Sequence, residues 1–291
     1  MKNERTLTAE PNKQEEPLSE GANLDLIEVA PSLKGRILVV KLGGSTLEHQ
    51  KMVLTDLILL QKQGLRPVLV HGGGPSINTM LEALHIPTHF EHGLRVTDAE
   101  TLEVVCMVLR GQINEHLVLL AASLGGKAVG LCGTDGKMLH AHIADEHLGL
   151  VGEIDTVDPT LVLDLLEQDY LPIIAPLGQG EGSDCLNINA DQAAAALAEA
   201  LSAERLIFLS DVEGIRGADG RCIAELSETE AQRLIEAEVI HGGMIPKVTA
   251  CLKALEAVAS VQIVDGGQPH ILLRAVDQRH QCGTIVVRQQ G

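Results

Sequence analysis

The chain has 291 residues and a formal net charge of −18, with one Tyr, two Phe and no Trp. This length suffices for one large domain or two small ones with a substantial core. The negative charge argues against proteins that bind nucleic-acid phosphates or anionic membranes, and the scarcity of rings argues against base stacking. We therefore expect an aliphatic core and no nucleic-acid or membrane partner.

The cysteines are widely spaced and form no C-x-x-C pair: they are Cys106, Cys132, Cys185, Cys222, Cys251 and Cys282. This spacing predicts free, mostly buried thiols in a reducing compartment. The first residues lack the apolar run of a secretory signal, and no apolar run approaches the ~18–20 residues that span a bilayer. The sequence thus predicts a soluble, cytoplasmic protein.

In chain order, polar residues 1–24 predict a disordered tail, and 25–33 form an apolar segment compatible with a partial helix. Aliphatic strands then alternate with amphipathic helices. The predicted strands are 37–42, 66–71, 127–131, 171–176, 205–210, 261–264 and 284–288. The predicted helices are a stretch ending at 63, 76–84, 99–124, 161–168, 191–203, 227–236 and 246–259, with a turn at 134–136 and a Gly-rich hairpin near 218–220.

Continuous apolar strands, each followed by a turn and a helix, predict an α/β fold whose open, mainly parallel sheet is sandwiched by helices. Ligands of such folds bind beyond the carboxyl ends of the strands. Because a new series of strands and loops starts after Ala203, we expect two lobes, 25–203 and 204–291.

Lys41 interrupts an apolar strand, ILVV-K-LGG. One interpretation is a lysine at the strand end that reaches solvent. The alternative places its ammonium at the carboxyl edge of the sheet, above the uncovered N–H groups of Gly43 and Gly44. A cation beside exposed backbone N–H groups is typical of a phosphate site.

Three glycines follow His71 at the end of the next strand. Successive glycines cost conformational entropy, but they permit close approach of a ligand and direct N–H donors at developing charge. The helical pattern directly after them argues against a flexible turn without defined structure. We expect His71 itself to be structural, and the histidines show no metal-ligand spacing, so no metal site is predicted.

Lys247 follows Pro246, a residue that suits the first position of a helix. A cation in the first turn costs roughly 0.3–1 kcal/mol unless an anion lies there. The alternative is an exposed lysine that tolerates this cost.

Three short polar residues, Asn187, Asn189 and Asp191, alternate before an Ala-rich helix. One helix cap accounts for only one of them. Arg95 follows a Gly-Leu turn, and its guanidinium is able to bind a carboxylate through two parallel hydrogen bonds. Together with the lysines and glycines, these residues suggest phosphoryl transfer, yet Walker A and protein-kinase signatures are absent.

Eight motifs in chain order, between about 35 and 287, resemble the amino acid kinase family, most of all its members that phosphorylate N-acetyl-L-glutamate in arginine biosynthesis. They are VVKLGGS, VLVHGGGPSIN, GLRVTDAETLEVVCMVLRGQIN, GLCGTDG, LPIIAPLG…NINADQAAAALAEAL, LIFLSDVEGI, GGMIPKVTACLKAL and VDGGQPHILL.

The resemblance implies ATP-dependent phosphorylation of the γ-carboxylate of N-acetyl-L-glutamate to an acyl phosphate. This nucleophile is already ionised at pH 7 and needs no base. By resemblance, Lys41 and Lys247 stabilise the transferring phosphoryl group from opposite sides, and Asp191 orients them. The lobe 25–203 would bind N-acetylglutamate and dimerise, and 204–291 would bind ATP.

The resemblance assigns the other positions as follows. Gly43 and Gly44 contact phosphate, Gly73 and Gly74 offer N–H groups to the attacking side, Arg95 pairs with a substrate carboxylate, Asn187 holds the acetamido end, and Asp211, Gly214, Ile215 and Met244 belong to the ATP lobe. Mg²⁺ would bridge the ATP phosphates with few or no direct protein ligands.

Arginine-inhibited members of the family carry a longer N-terminal helix, a DGR-type motif and an acidic residue after a late Leu-Leu pair. Here 25–33 only partly resembles that helix, the motif reads Asp265-Gly266-Gly267, and Arg274 follows the Leu-Leu pair. We therefore expect a homodimer through the N-terminal lobe, with an arginine-inhibited hexamer as the alternative.

Two other functions compete with this interpretation. A kinase for carrier-bound aminoadipate or glutamate in lysine biosynthesis would need a basic surface for its acidic carrier, which a net charge of −18 disfavours. A non-catalytic arginine sensor would have no need for Lys41, Lys247 and Asp191.

Overall fold

The structure is a computed structural model and describes residues 29–182, 184–240, 244–256, 258–277 and 282–288. The predicted tail 1–24 and the first residues of the segment 25–33 lie outside the described residues. The rest of that segment ends in a short 3-10 turn, Pro31–Leu33.

The described strands, in chain order, are β1 (Ile37–Leu42), β2 (Arg66–His71), β3 (Phe90–Glu91), β4 (Leu94–Arg95), β5 (Ala128–Cys132), β6 (Leu139–Ile143), β7 (Val151–Val157), β8 (Leu171–Ala175), β9 (Leu177–Gln179), β10 (Cys185–Ile188), β11 (Arg205–Ser210), β12 (Glu225–Ser227), β13 (Ser260–Asp265) and β14 (Thr284–Val287).

The described α-helices are α1 (Gln50–Lys62), α2 (Gly74–Ala83), α3 (Ala99–Cys106), α4 (Glu115–Ser123), α5 (Thr160–Glu167), α6 (Ala190–Ala200), α7 (Glu228–Glu236), α8 (Met244–Leu255) and α9 (Ile271–Val276). A π-helical stretch, Met107–Asn114, joins α3 to α4.

The main sheet has eight strands in the order β12-β14-β13-β11-β1-β2-β8-β5. Every pair is parallel except β13 and β14. The predicted α/β fold with an open, mainly parallel sheet is therefore confirmed. β1 lies between β2 and β11, so Lys41 has Val70 on one side and Phe208 on the other.

Helices cover both faces of this sheet because its strands are apolar on both sides. In β1, Leu38 and Val40 belong to a cluster with residues of α1, α2, α4 and α9. Val39 belongs to a second cluster with residues of α5, α6, α7 and α8. Side chains alternate along a strand, so Lys41 shares the face of Val39 and points toward α6 and α8.

The predicted bounds of β1, β2 and β11 agree with the structure, but other elements were missed. β6, β7, β9 and β10 form a separate closed sheet, and β3 pairs with β4 in a hairpin. These strands are short or half exposed, as in the burial of β7, so no continuous apolar run marks them. The six residues of α9 are too few to show a helical period.

The helix predicted at 99–124 extends over Ala99–Ser123, through α3, the π-helical stretch and α4. Within the described part of the chain it is long and apolar enough, by length and composition alone, to cross a membrane. Core helices of soluble proteins pass the same test, and 44% of its most apolar window is buried.

Candidate active site

The carboxyl end of β1 and the start of α6 form an ion pair. Lys41 is 7% exposed, and its Nζ lies 2.6 Å from Oδ1 of Asp191. Asn189 is the N-cap of α6, where its side chain accepts hydrogen bonds from the N–H groups of Asp191 and Gln192. Because Asn189 caps the helix, the carboxylate of Asp191 is available to the lysine.

Lys247 approaches the same carboxylate from α8. Its Nζ lies 3.9 Å from Oδ2 of Asp191, and its side chain is 25% exposed. The described helix begins at Met244, so Pro246 is its third residue. The sequence predicted Pro246 at the first position. Lys247 remains close to the N-terminal end, where an anion compensates its charge.

Asp191 is ionised at neutral pH. Burial alone would raise the pKa of its carboxyl, but the charges of Lys41 and Lys247 and a hydrogen bond from Lys41 hold that pKa below its ordinary value. Two cations therefore converge on one carboxylate at the edge of the sheet. The family resemblance implies this grouping, and the structure supplies its distances.

The two glycine turns that follow β1 and β2 touch each other. A Cβ on Gly44 would lie 2.7 Å from Cδ of Pro75 and 3.0 Å from the backbone N of Gly74. A Cβ on Gly73 would lie 2.5 Å from Cδ1 of Ile113. A side chain at Gly44 would therefore meet the facing backbone, and one at Gly73 would require Ile113 and Leu109 to shift. Since α2 begins at Gly74 without a side-chain cap, its first N–H groups face this region, where an anion is stabilised.

A cavity of ≈ 360 Å³ joins the ion pair to these turns. Its walls include the predicted site residues Lys41, Gly44, Gly73, Gly74, Arg95, Asn187 and Asp191. They come from β1, β4, β10, α2 and α6 and the adjoining turns, which are far apart along the chain.

Arg95 is the second cation of the cavity wall, and it is 7% exposed. Its Nη2 donates to Oδ1 of Asn78 at 2.5 Å and lies 3.4 Å from the carbonyl oxygen of Gly74. Its Nη1 is buried and has no hydrogen-bond partner among the described residues. Burial lowers the pKa of Arg95, but a guanidinium remains charged. An unpaired buried cationic N–H group favours an anionic ligand.

Asn187 lies on β10 and also lines the cavity. Its Nδ2 donates to Oγ1 of Thr97 at 3.1 Å, which fixes the amide plane and leaves its oxygen as an acceptor. Neither Asn78 nor Thr97 was identified from the sequence, since isolated polar residues in loops or helices carry no distinct pattern.

The predicted nucleotide residues lie beyond this cavity in the structure. Asp211 directly follows β11 and accepts a hydrogen bond from Oγ of Ser210 at 3.2 Å. Ile215 is buried, and its N–H donates to Oγ1 of Thr284 at 2.8 Å. Gly214 lies against Cys222 and Thr284, where a Cβ would come within 2.6 Å of the sulfur.

Gly43 lies near the ion pair, and Met244 belongs to the helix that carries Lys247. A Cβ on Gly43 would be 3.8 Å from Nζ of Lys41, and Met244 is half-buried at the start of α8. Of the described residues, the walls of the cavity thus include the proposed substrate contacts and Gly44, but none of the other predicted nucleotide residues.

His71 is structural, as expected from the sequence. It is fully buried, and its Nδ1 lies 3.0 Å from the carbonyl oxygen of Gly72 while its Nε2 lies 3.1 Å from Nδ2 of Asn114. Burial lowers the pKa of His71 to about 4, so the ring is neutral. Asn114 also donates to the carbonyl oxygen of Ile173 at 2.9 Å, which ties the glycine turn to β8 and the π-helical stretch.

Within the described part of the chain, no cluster of three or more His, Cys, Asp or Glu side chains is placed to hold a metal ion. Asp191, the carboxylate of the cavity, is already engaged by two lysines.

Comparison with known proteins places this arrangement in a family. Residues 36–265 match the model of the amino acid kinase family. The chain is 43% identical over 285 residues to the acetylglutamate kinase of Heliobacterium modesticaldum, covering 90% of this chain and 97% of that protein. It is 45% identical over 276 residues to the acetylglutamate kinase of a Synechococcus species, covering 91% of this chain and 88% of that one.

Among solved structures, the fold is similar to N-acetylglutamate synthase from Neisseria gonorrhoeae, in complex with coenzyme A and N-acetyl-glutamate. The TM-score is 0.79 at 27% identity, over 89% of this chain, which spans 61% of the length of the synthase. The match to the family model covers most of the chain, and the curated relatives agree over nearly their whole length. The chain belongs to the amino acid kinase family.

Proposed function

We propose that this protein catalyses ATP-dependent phosphorylation of the γ-carboxylate of N-acetyl-L-glutamate, giving N-acetyl-L-glutamyl 5-phosphate for arginine biosynthesis. The observation that carries the proposal is the convergence of Lys41 and Lys247 on Asp191, at the mouth of a cavity lined by two glycine turns. The curated relatives with this activity in their name match the chain over nearly its whole length.

The geometry suits a transferring phosphoryl group. Its transition state carries negative charge on three equatorial oxygens, so catalysis consists mainly of positioning and charge stabilisation. Lys41 and Lys247 supply two cations that Asp191 holds in place, and the backbone of Gly44 and Gly74 lines the same cavity as Lys41. The attacking carboxylate is ionised at neutral pH, so no general base is required.

The same cavity has groups for both ends of the amino-acid substrate. Nη1 of Arg95 is a buried donor without a partner among the described residues, and it would pair with the α-carboxylate. Asn187 would hold the acetamido group, since an amide recognises an amide by complementary donor and acceptor. Gly73 and Gly74 would offer N–H groups to the γ-carboxylate.

ATP would occupy the carboxyl edge of the strands in lobe 204–291, with Gly43 and Gly44 near its phosphates and Asp211, Gly214, Ile215 and Met244 around the nucleoside. Because described acidic residues form no cluster, a Mg²⁺ ion would be held by phosphate oxygens and water. Such an ion would neutralise phosphate charge, while the lysines act directly on the transferring group.

The test is formation of an acyl phosphate, trapped with hydroxylamine as a hydroxamate, from ATP and N-acetyl-L-glutamate. Glutamate without the acetyl group and a carrier-bound aminoadipate serve as comparison substrates. We expect hydroxamate with N-acetyl-L-glutamate. Product with the carrier-bound substrate alone would instead establish the lysine-biosynthesis alternative, and binding of arginine with no product from any substrate would establish a sensor.

Lys41→Met and Lys247→Met separate catalysis from binding in this assay. Each substitution removes charge stabilisation that is strongest in the transition state, so kcat should fall about 10²–10³-fold with a smaller change in KM. If only KM changes, the lysines bind phosphate in the ground state and do not assist transfer.

The assembly proposed from the sequence is a cytoplasmic homodimer through lobe 25–203, with a hexamer as the alternative. The long helix of this lobe supports a contact, because Met107 is 56% and Leu119 60% exposed on it. Contiguous exposed apolar surface marks interaction sites, and these two side chains are the ones on this helix that a partner would cover. Light scattering of the purified protein gives the mass, and Leu119→Glu should lower it to that of a monomer if the helix forms the contact.

A further inference from the structure

Two cysteines far apart in sequence meet beside the candidate active site. Cys106 is the last residue of α3, and Cys185 is the first residue of β10. Their sulfur atoms lie 3.8 Å apart. The sequence predicted free thiols, and the structure describes all six as free, but it places these two in direct contact.

The pair is open to small molecules. Both side chains are half-buried and line a second cavity of ≈ 370 Å³, separate from the proposed substrate cavity, with Arg110 and Asp184 at its walls. Cys251 and Cys282, in contrast, are buried. A polar oxidant of the size of hydrogen peroxide therefore has access to Cys106 and Cys185.

The surroundings also activate one of the thiols. The hydrogen bond from Cys185, with a contribution from the charge of Arg110, lowers the pKa of Cys106 to about 7 against the opposing effect of burial. The same hydrogen bond and burial raise the pKa of Cys185. Since the thiolate is the nucleophile, Cys106 reacts first and Cys185 serves as the second thiol.

We propose that Cys106 and Cys185 form a reversible disulfide, which links the redox state of the cell to binding of the amino-acid substrate. The oxidant is a hydroperoxide. The Cys106 thiolate attacks its terminal oxygen, and the O–O bond breaks to give a sulfenic acid and, after protonation of the leaving oxygen, water or an alcohol. The Cys185 thiol then attacks the sulfenic sulfur, forming the S–S bond and releasing water. A reductant dithiol reverses the reaction.

In this proposal, closing the bond pulls on two segments that also carry walls of the substrate cavity. A disulfide has sulfur atoms ≈ 2.05 Å apart, against 3.8 Å in the reduced protein. On one side, Cys185 lies two residues before Asn187 on β10. On the other side, α3 continues into the π-helical stretch, whose Leu109 and Ile113 lie against Gly73. A shift of either element alters the geometry of a proposed substrate contact.

The experiment treats the purified protein with hydrogen peroxide and then measures its intact mass, its disulfide-linked peptides and its kinetics. We expect the loss of two hydrogen atoms, a linked pair of peptides containing Cys106 and Cys185, and a fall of about 10- to 100-fold in kcat/KM for N-acetyl-L-glutamate. KM for ATP should change little, and dithiothreitol should restore the reduced kinetics.

Single variants give the controls. Cys106→Ser and Cys185→Ser should each retain the activity of the reduced protein and lose both the cross-link and the response to peroxide. Cys222→Ser, a half-buried thiol beside Thr284, should respond as the wild type does. The absence of a Cys106–Cys185 peptide, or unchanged kinetics in the cross-linked protein, would overturn the proposal.

The kinetic effect rests on the proposed function, whereas the cross-link is read by mass without any assay of activity. A cross-linked protein whose reduced form makes no hydroxamate would overturn the proposed substrate and leave the disulfide itself established.

Discussion

Replacing Lys41 with Met removes the nearer of the two cations that compensate the carboxylate of Asp191. Lys41 Nζ lies 2.6 Å from that carboxylate, and the two side chains are 8% and 15% exposed. Removing one partner of such a buried pair costs about 3–5 kcal/mol, because the other charge then remains buried with only the more distant Lys247 to compensate it. Lys247 lies at 3.9 Å and is 25% exposed. Its replacement by Met should therefore cost only about 1 kcal/mol.

The pH dependence follows from the pKa of Asp191. In the native protein this pKa is lowered, so the ionised carboxylate stabilises the fold above its unfolded pKa of about 4, and this contribution is lost as the pH falls through the folded value. Without Lys41, we expect burial to outweigh the charge of Lys247 and to raise the pKa of Asp191. The carboxyl then takes up a proton as the pH falls from 7 toward 4, and the penalty of the variant shrinks.

Urea unfolding followed by far-ultraviolet circular dichroism measures these differences at several pH values. Lys247→Met is the matched control, since it removes the same side chain from the other side of the same carboxylate. Adding Asp191→Asn to Lys41→Met should recover part of the lost stability. Equal costs for the two lysine variants, or a cost for Lys41→Met that does not change with pH, would refute the assignment of Lys41 as the main compensating charge.

Three further predictions concern the cavity and its support. Arg95→Met should raise KM for N-acetyl-L-glutamate about 10- to 100-fold in the hydroxamate assay, because the substrate carboxylate loses one charged hydrogen bond. An unchanged KM would mean that the carboxylate binds elsewhere. Gly73→Ala should cost about 1–3 kcal/mol in urea unfolding, because its Cβ would overlap Ile113. Gly111→Ala, with open space around the new Cβ, is its control and should be neutral or stabilising by up to about 1 kcal/mol. Burial lowers the pKa of His71 to about 4. Between pH 4 and 6.5 its ring is therefore protonated only in the unfolded state, so this residue should raise the free energy of unfolding by about 3 kcal/mol as the pH rises through that range. His71→Gln should remove that part of the pH slope, and an identical slope would contradict a neutral buried ring.

Much of the main sheet could be predicted because its strands are aliphatic runs ended by glycine or by polar residues. β1 is followed by two glycines and β2 by three, and their parallel pairing follows from the helix between them. The closed sheet could not be predicted in this way. β6 and β7 pair through a register shift between His140 and Ala141, and their half-exposed side chains show neither a continuous apolar run nor a strict alternation.

In the site, too, some features could be predicted from the sequence and others depend on tertiary packing. The anomaly of Lys41 in an apolar strand could be recognised from the sequence, and the position of Asp191 after a capping Asn directs it to the same edge of the sheet. The distance between them depends on the packing of α6 on β1, which no local pattern contains. The contact of Cys106 with Cys185 is likewise tertiary: each is an isolated cysteine in its own segment, and only the packing of α3 on β10 brings them together.

The pairing of β1 with β11 also determines how the chain can be divided. A cut between Ala203 and Glu204 would fall in the turn between α6 and β11, yet five registered residue pairs, from Leu38 with Arg205 to Leu42 with Leu209, cross it. Each fragment alone would present a bare strand edge that is apolar on both faces, a template for aggregation. The two halves are therefore complementary fragments rather than autonomous units. Produced together they should reassemble along this edge, which makes 203–204 a suitable position for a split-protein reporter.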